Sequence, residues 1–266
     1  MSQSPAASSL FAQLRDAIRA EEPVALATVI EGPDLGSKLL VTPAGTSGSL
    51  GDEDLDRVVG RDVLGELAAG RTGIRRYGQQ GQARSDEVAV FIESFAPPPQ
   101  MLIFGAVDFT AALTRLAKFL GYRVTVCDAR PAFATKKRFP TADVVTVDWP
   151  DRLLAGVGAE LGERDAIAVL THDAKFDIPA ITSALGTEVG YIGVMGSRRT
   201  HHDRTKRLIE AGVTSDELAR LRSPIGLDLG GRTPEETAVS IVAEIIALRT
   251  GRDAPALKDT EGSIHR

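Results

Sequence analysis

Residues 101–130 read MLIFGAVDFTAALTRLAKFLGYRVTVCDAR. The stretch opens on an apolar run of strand type (101–104) and turns at Gly105. It then shows helical spacing over 109–120, ended by Gly121, and a second strand over 123–127. Asp128 closes that strand, 23 positions after Gly105, near the spacing of an acid that binds a ribose in a dinucleotide fold. The glycine pattern itself is broken. A full fingerprint has glycine at the first, third and sixth positions, whereas here the six are Gly105-Ala106-Val107-Asp108-Phe109-Thr110. Val107 stands where the backbone must approach a pyrophosphate closely. Asp108 is expected to cap the helix, with its charge in the place of an anion. Two readings stand side by side: a modified dinucleotide loop, or a strand–turn–helix that Asp108 merely caps.

Downstream the alternation continues. Strands are expected at 144–147, 166–170 and 191–194, and helices at 149–160, 178–185, 199–211, 215–222 and 233–249, the last with Pro234 at its first position. This order predicts an α/β, Rossmann-like doubly wound parallel sheet over residues 101–250, followed by a polar tail at 251–266. Upstream, a helix at 8–20, strands at 24–30, 38–41, 74–77 and 87–93 and a helix at 52–69 predict a smaller α+β domain over residues 1–96. Pro97-Pro98-Pro99-Gln100 between them reads as a stiff linker.

Composition fits this picture. Of 266 residues, 43% are hydrophobic and only 5% aromatic, so the core must be aliphatic. A net charge of −5 argues against non-specific nucleic-acid binding. The chain shows no membrane-length apolar stretch and no secretory leader, so a cytoplasmic protein is expected. The one cysteine, Cys127, rules out an internal disulfide or a cysteine-rich zinc site, and its place in a strand suggests a buried small apolar residue.

Candidate site residues lie at expected strand ends. Asp128 and Arg130 could meet ribose and phosphate, or form a local surface ion pair. Thr171-His172-Asp173 follows the strand at 166–170, where open α/β sheets bind ligands; His172 is either a ligand contact or a structural hydrogen-bonding residue, while Lys175 and Asp177 read as solvated. Gly196-Ser197-Arg198-Arg199 supplies a turn, a cap and two arginines at a helix start, which reads as an anion site or as a plain cap. His201-His202 is a poor metal pair because neighbours on a helix point apart, and no metal site is expected. The run 223–236 (SPIGLDLGGRTPEE) ends in a capping box of Thr233 and Glu236.

Together THD at 171–173, YIGVMGSRR at 191–199 and PIGLDLGGRTPEETAVSIVAEIIA at 224–247 resemble the XdhC/CoxI family. The resemblance covers about residues 102–249. It implies a Rossmann-like domain beside a smaller N-terminal one, and an accessory factor for molybdenum hydroxylases rather than a catalyst. Such a factor binds the molybdenum cofactor (molybdopterin), supports its sulfuration and helps deliver it. The implied partners are a molybdenum hydroxylase apoenzyme, a sulfurtransferase and a second copy of the chain as a homodimer, with neither nucleic acid nor membrane. From their shared place at strand carboxyl ends, the candidate binding set is Gly105, Ala106, Asp128, Arg130, His172, Asp173, Gly196, Ser197 and Arg198, with no catalytic residue. The sequence departs from the family at three places: Val107-Asp108 replaces Gly-His, and neither Gly48–Asp52 nor Gln82–Glu87 carries the family's cysteine. No thiolate is available there to ligate metal or carry sulfur. Two rival functions remain open from sequence: an NAD(P)-dependent oxidoreductase, suggested by fold analogy alone, and a scaffold or regulatory protein that has lost ligand binding.

Overall fold

A computed structural model describes residues 9–82 and 87–262. The chain divides into two compact units, Met1–Pro97 and Pro98–Arg266. Ser8, where the first helix was expected to begin, lies outside the described residues, as do most of the Gln82–Glu87 segment and the end of the tail.

The first unit is a five-stranded antiparallel sheet in the order β3-β2-β1-β5-β4. Its strands are β1 (Val24–Glu31), β2 (Lys38–Thr42), β3 (Gly45–Ser49), β4 (Gly73–Tyr77) and β5 (Val88–Phe95). Helix α1 (Leu10–Arg19) precedes them, and α2 (Glu53–Ala68) buries Leu55, Val59, Val63 and Leu67 against one face of the sheet. Strand β3 was not expected. Its sequence GTSGS offers no apolar alternation, so only pairing to β2 reveals it, through ladder bonds that are blind to side chains.

The second unit is a six-stranded, wholly parallel sheet in the order β11-β10-β9-β6-β7-β8. Its strands are β6 (Gln100–Phe104), β7 (Arg123–Cys127), β8 (Val144–Thr146), β9 (Ala166–Val169), β10 (Tyr191–Val194) and β11 (Leu221–Arg222). Counted within the unit this is the 3-2-1-4-5-6 order of the doubly wound dinucleotide fold, with its switch point between β6 and β9. The helices are α3 (Asp108–Phe119), α4 (Pro150–Val157), α5 (Ala174–Leu185), α6 (Arg198–Glu210), α7 (Ser215–Ala219) and α8 (Pro234–Thr250). Alternate strand residues serve opposite faces. Met101, Ile103, Val124 and Val126 pack with Leu113 of α3 and Ile241 and Ile245 of α8. Leu102, Phe104, Ile167 and Ile192 pack with Leu154 of α4, Ile181 of α5 and Leu208 of α6. Burying both faces explains why these strands are continuous apolar runs. Cys127 is fully buried in the second cluster, and burial pushes its thiol up to about 12, so it is not a nucleophile at neutral pH.

Three expected elements are corrected. The helix placed at 215–222 stops at Ala219, and Leu221–Arg222 instead adds a short edge strand beside β10. Helix α5 begins at Ala174, earlier than Ile178, because Asp173 accepts the Lys175 amide as N-cap and Pro179 is carried inside the helix. Asp108 is not the cap of α3. Val107 holds that position, and Asp108 is the first helical residue.

Candidate functional site

The carboxyl ends of the strands gather most of the residues singled out from sequence. Gly105 leaves β6 with φ +112°, and a Cβ there would lie 2.8 Å from Thr171 Cγ2 and 3.1 Å from the Thr171 amide nitrogen. Only glycine lets the two strand ends close on each other at the switch point.

The first loop spends its amides on itself. Gly105 N–H donates to Cys127 O at 2.9 Å, Ala106 N–H to Asp128 Oδ2 at 2.7 Å and Val107 N–H to Thr110 Oγ1 at 3.3 Å. The Thr110 hydroxyl in turn donates to Gly105 O. Three of the amides of this turn are thus already occupied, and those of Asp108 and Phe109 open α3.

Asp128 is buried, and its carboxylate accepts from four donors: the amides of Ala106 and Arg130, and Arg130 Nε and Nη2 at 2.9 and 2.7 Å. Burial alone would raise its pKa. The Arg130 side chain and the two amides outweigh it and hold the carboxyl below its ordinary value. A carboxylate has about four acceptor positions, so Asp128 has none to spare for ribose hydroxyls while this arrangement holds. It serves instead as the clasp between the first loop and the end of β7.

Arg130 is half exposed and stacks on Phe133, 4.5 Å from the ring centroid. Arg138 lies over the same ring at 5.6 Å and over Phe139 at 5.3 Å, and donates to Ala106 O at 2.9 Å and Phe133 O at 3.3 Å. It also stands 3.6 Å from Asp108, whose side chain is 91% exposed. Asp108 therefore points out to a guanidinium rather than into the loop.

On the other side of α3's first turn lies a cavity of about 430 Å³ lined by Phe109, His172, Met195, Ser197, Ile225 and Thr237, among others. Gly196 also lines it, and Ser197 caps α6 through the Thr200 amide. A second cavity of about 440 Å³ shares His172 and Thr200 and takes in Asp173, Arg199, Asp203 and Arg207. Arg198 lines neither. One position along a helix turns the side chain by about 100°, so Arg199, not Arg198, faces the cleft. Gly105, Ala106, Asp128 and Arg130 line neither cavity and form the loop and clasp beside them.

Beneath the cleft runs a buried polar chain that the sequence did not announce. Asp177, expected to be solvated, is buried. It accepts from the Thr171 hydroxyl and from Arg204 Nη2, which also donates to Met195 O at 3.0 Å. The chain ties the ends of β9 and β10 to α5 and α6. Arg204 falls four residues after Thr200 and four before Leu208, a buried stripe in a helix otherwise rich in charge, and that spacing was the available signal. His201, on the next face, is held below its ordinary pKa by burial and then by the charges of Arg204 and His202. Among the described residues no group of three or more metal-ligating side chains comes together.

The run after β11 is anchored rather than loose. Glu244 accepts the buried Tyr191 hydroxyl at 2.6 Å and the Gly226 amide at 2.9 Å, and Glu236 accepts the Arg232 and Thr233 amides. This holds Ile225 against the first cavity.

Comparison with known proteins follows the same lines. The profile of the XdhC Rossmann domain matches residues 101–245, and that of the XdhC and CoxI family matches residues 17–78. The chain is 36% identical over 160 residues to a probable xanthine dehydrogenase subunit of Bacillus subtilis, covering 60% of this chain and 46% of that protein. It is 26% identical over 159 residues to the molybdenum cofactor insertion chaperone PaoD of Escherichia coli, covering 60% and 43%. It is 26% identical over 240 residues to YqeB of Escherichia coli, covering 85% and 44%. The chain thus spans less than half the length of these relatives. Among solved structures, a xanthine dehydrogenase from Bacillus halodurans shares the fold with a TM-score of 0.54, at 22% identity over 92% of this chain and 97% of that one. Among the described residues no helix is long and apolar enough to cross a membrane.

Proposed function

The chain belongs to the XdhC/CoxI family, and from that premise we propose that it is an accessory factor that binds the molybdenum cofactor and hands it to a molybdenum hydroxylase apoenzyme. The observation that carries the reading is the cavity of about 430 Å³ at the sheet's carboxyl end. Its lining suits a pterin. Phe109, Met195 and Ile225 offer apolar surface to a flat ring, and His172, Ser197 and Thr237 offer hydrogen bonds to its edge. The cofactor's redox-active metal would do its chemistry in the client enzyme. What this chain's residues contribute is binding, orientation and shelter from water. In that role its partners are the apoenzyme, a sulfurtransferase and a second copy of itself. With Cys127 buried and no cysteine elsewhere, any sulfur transfer must use the partner's thiol.

An NAD(P)-dependent oxidoreductase is less well supported. The strand order suits a dinucleotide, but the Ala106 and Val107 amides and Asp128 are already engaged. Anaerobic titration with molybdopterin released from a molybdoenzyme, followed by fluorescence, tests the two together. Saturable binding that weakens at least tenfold in a Phe109→Ala/His172→Ala variant is expected; a loss of that order corresponds to about 1.4 kcal/mol. Saturable binding of NADH or NADPH with none of molybdopterin would transfer the site to the oxidoreductase reading. Binding of none of these would leave a scaffold protein.

A further inference from the structure

The amides of Gly105, Ala106 and Val107 are bonded within the protein, which leaves the first loop only the amides of Asp108 and Phe109, at the start of α3, to offer a phosphate. A phosphate-bearing ligand at this switch point would meet those two amides beside the Asp108 carboxylate and would draw on side-chain cations for the rest of its charge. The cationic side chains nearest the loop lie in the segment after β7, and their arrangement is specific.

Arg130 is fixed by a two-pronged bond to Asp128 and by its stack on Phe133. Arg138 is fixed by two carbonyls, those of Ala106 and Phe133, and by stacking on Phe133 and Phe139. One aromatic ring thus contacts both guanidinium groups. Both remain partly exposed, with side chains 44% and 34% accessible. Each bond that fixes them uses only some of a guanidinium's five N–H donors. Lys136 and Lys137 add charge on the same segment, against Asp108 and Asp128. Asp173 also acts on Arg130 through its charge.

We propose that Arg130 and Arg138, braced on Phe133, form a phosphate-monoester subsite that replaces the backbone cradle of the first loop. Arg138 meets Asp108, and the next residue, Phe109, lines the 430 Å³ cavity. The first turn of α3 is thus a ridge with a ring-sized cavity on one flank and a paired guanidinium site on the other. A ligand with a flat ring and a phosphate on a short spacer would straddle it. The ring's identity rests on the pterin reading above; the phosphate site does not. Two sources share this chemistry: the phosphate of a pterin side chain and the 2′-phosphate of a dinucleotide.

The experiment is an NMR titration of the full chain with inorganic pyrophosphate, observing arginine side-chain Nε–H signals. Saturable shifts of the Arg130 and Arg138 signals, larger than those of other arginines, are expected. Two ligand pairs then identify the source: a pterin phosphate against its phosphatase-treated product, and NADPH against NADH. One phosphorylated member should bind about tenfold tighter than its partner, the usual effect of a charge-assisted hydrogen bond. In Arg138→Gln and Arg130→Gln that preference should vanish, while affinity for the unphosphorylated member is kept. Absence of arginine shifts with pyrophosphate on the wild-type protein overturns the subsite, whether or not the variants fold. Arginine shifts with no pterin binding would keep the subsite and remove the pterin reading.

Discussion

Arg204 meets Asp177 at 2.8 Å with the two side chains only 5% and 3% exposed, and this pair joins α6 to α5 beneath the cleft at the sheet's carboxyl end. Its neighbours complete it: the Thr171 hydroxyl donates to Asp177, and Met195 O accepts from Arg204. Such a pair gains little over an apolar replacement, because desolvation offsets the attraction, but half of it left alone is costly. Arg204→Ala should therefore destabilise the protein by about 3–5 kcal/mol in urea unfolding. The double variant Asp177→Leu/Arg204→Met should lose less than Arg204→Ala alone. If the two lose equally, the pair is not the source of the cost.

Gly105 should tolerate no side chain. At φ +112° an alanine is strained, and its Cβ would sit 2.8 Å from Thr171 Cγ2 with backbone close behind. Gly105→Ala is expected to cost at least the ~1–3 kcal/mol of a disfavoured backbone region. The companion change Thr171→Ser, which removes the methyl in contact, should recover only part of it, because the Thr171 amide nitrogen still stands at 3.1 Å. Thermal unfolding of the two single variants and the double variant measures both effects.

What the sequence made legible follows from which interactions are local. The apolar runs at Met101, Arg123, Ala166 and Tyr191 announce a buried parallel sheet because both faces of each strand are covered. The cap at Thr233 was legible because its partner Glu236 is three residues away. Strand β3 was hidden because GTSGS pairs through its backbone alone. Asp177 looked solvated because its partner, Arg204, is 27 positions on. Arg138 carried no local signal for the same reason: the carbonyl it holds, that of Ala106, is 32 positions back. Arg198 and Arg199 were indistinguishable as letters, and only the phase of α6 separates them.

Acid should loosen the first loop. Asp128 is held below its ordinary value of 3.8, since Arg130 and the amides of Ala106 and Arg130 outweigh the burial that would raise it. A depressed carboxyl contributes stability that is present above its unfolded pKa and is lost as pH falls through the folded one. The contribution is therefore full at neutral pH, begins to fall near about pH 4, the ordinary aspartate value, and is lost as pH drops through the lower folded value. Denaturant unfolding should show Asp128→Asn much less stable than wild type at neutral pH and the gap shrinking steadily as pH falls below about 4. Hydrogen exchange of the Ala106 amide should quicken over the same range in the wild-type protein only.

The helical phase of α6 makes a sharper test of the site than any charge count. Arg198 and Arg199 are adjacent, alike and both exposed, yet only Arg199 lines the cavity that shares His172 with the proposed pterin pocket. Arg199→Ala should weaken molybdopterin binding several-fold, in line with the loss of one charged hydrogen bond. Arg198→Ala should bind within about twofold of wild type, a difference of under about 0.5 kcal/mol. Neither substitution removes a buried contact, so both variants should unfold at wild-type denaturant concentrations. A larger loss from Arg198→Ala than from Arg199→Ala would mean that the ligand approaches α6 from its other face. The cavity bordered by Arg199 and Arg207 would then have no part in binding.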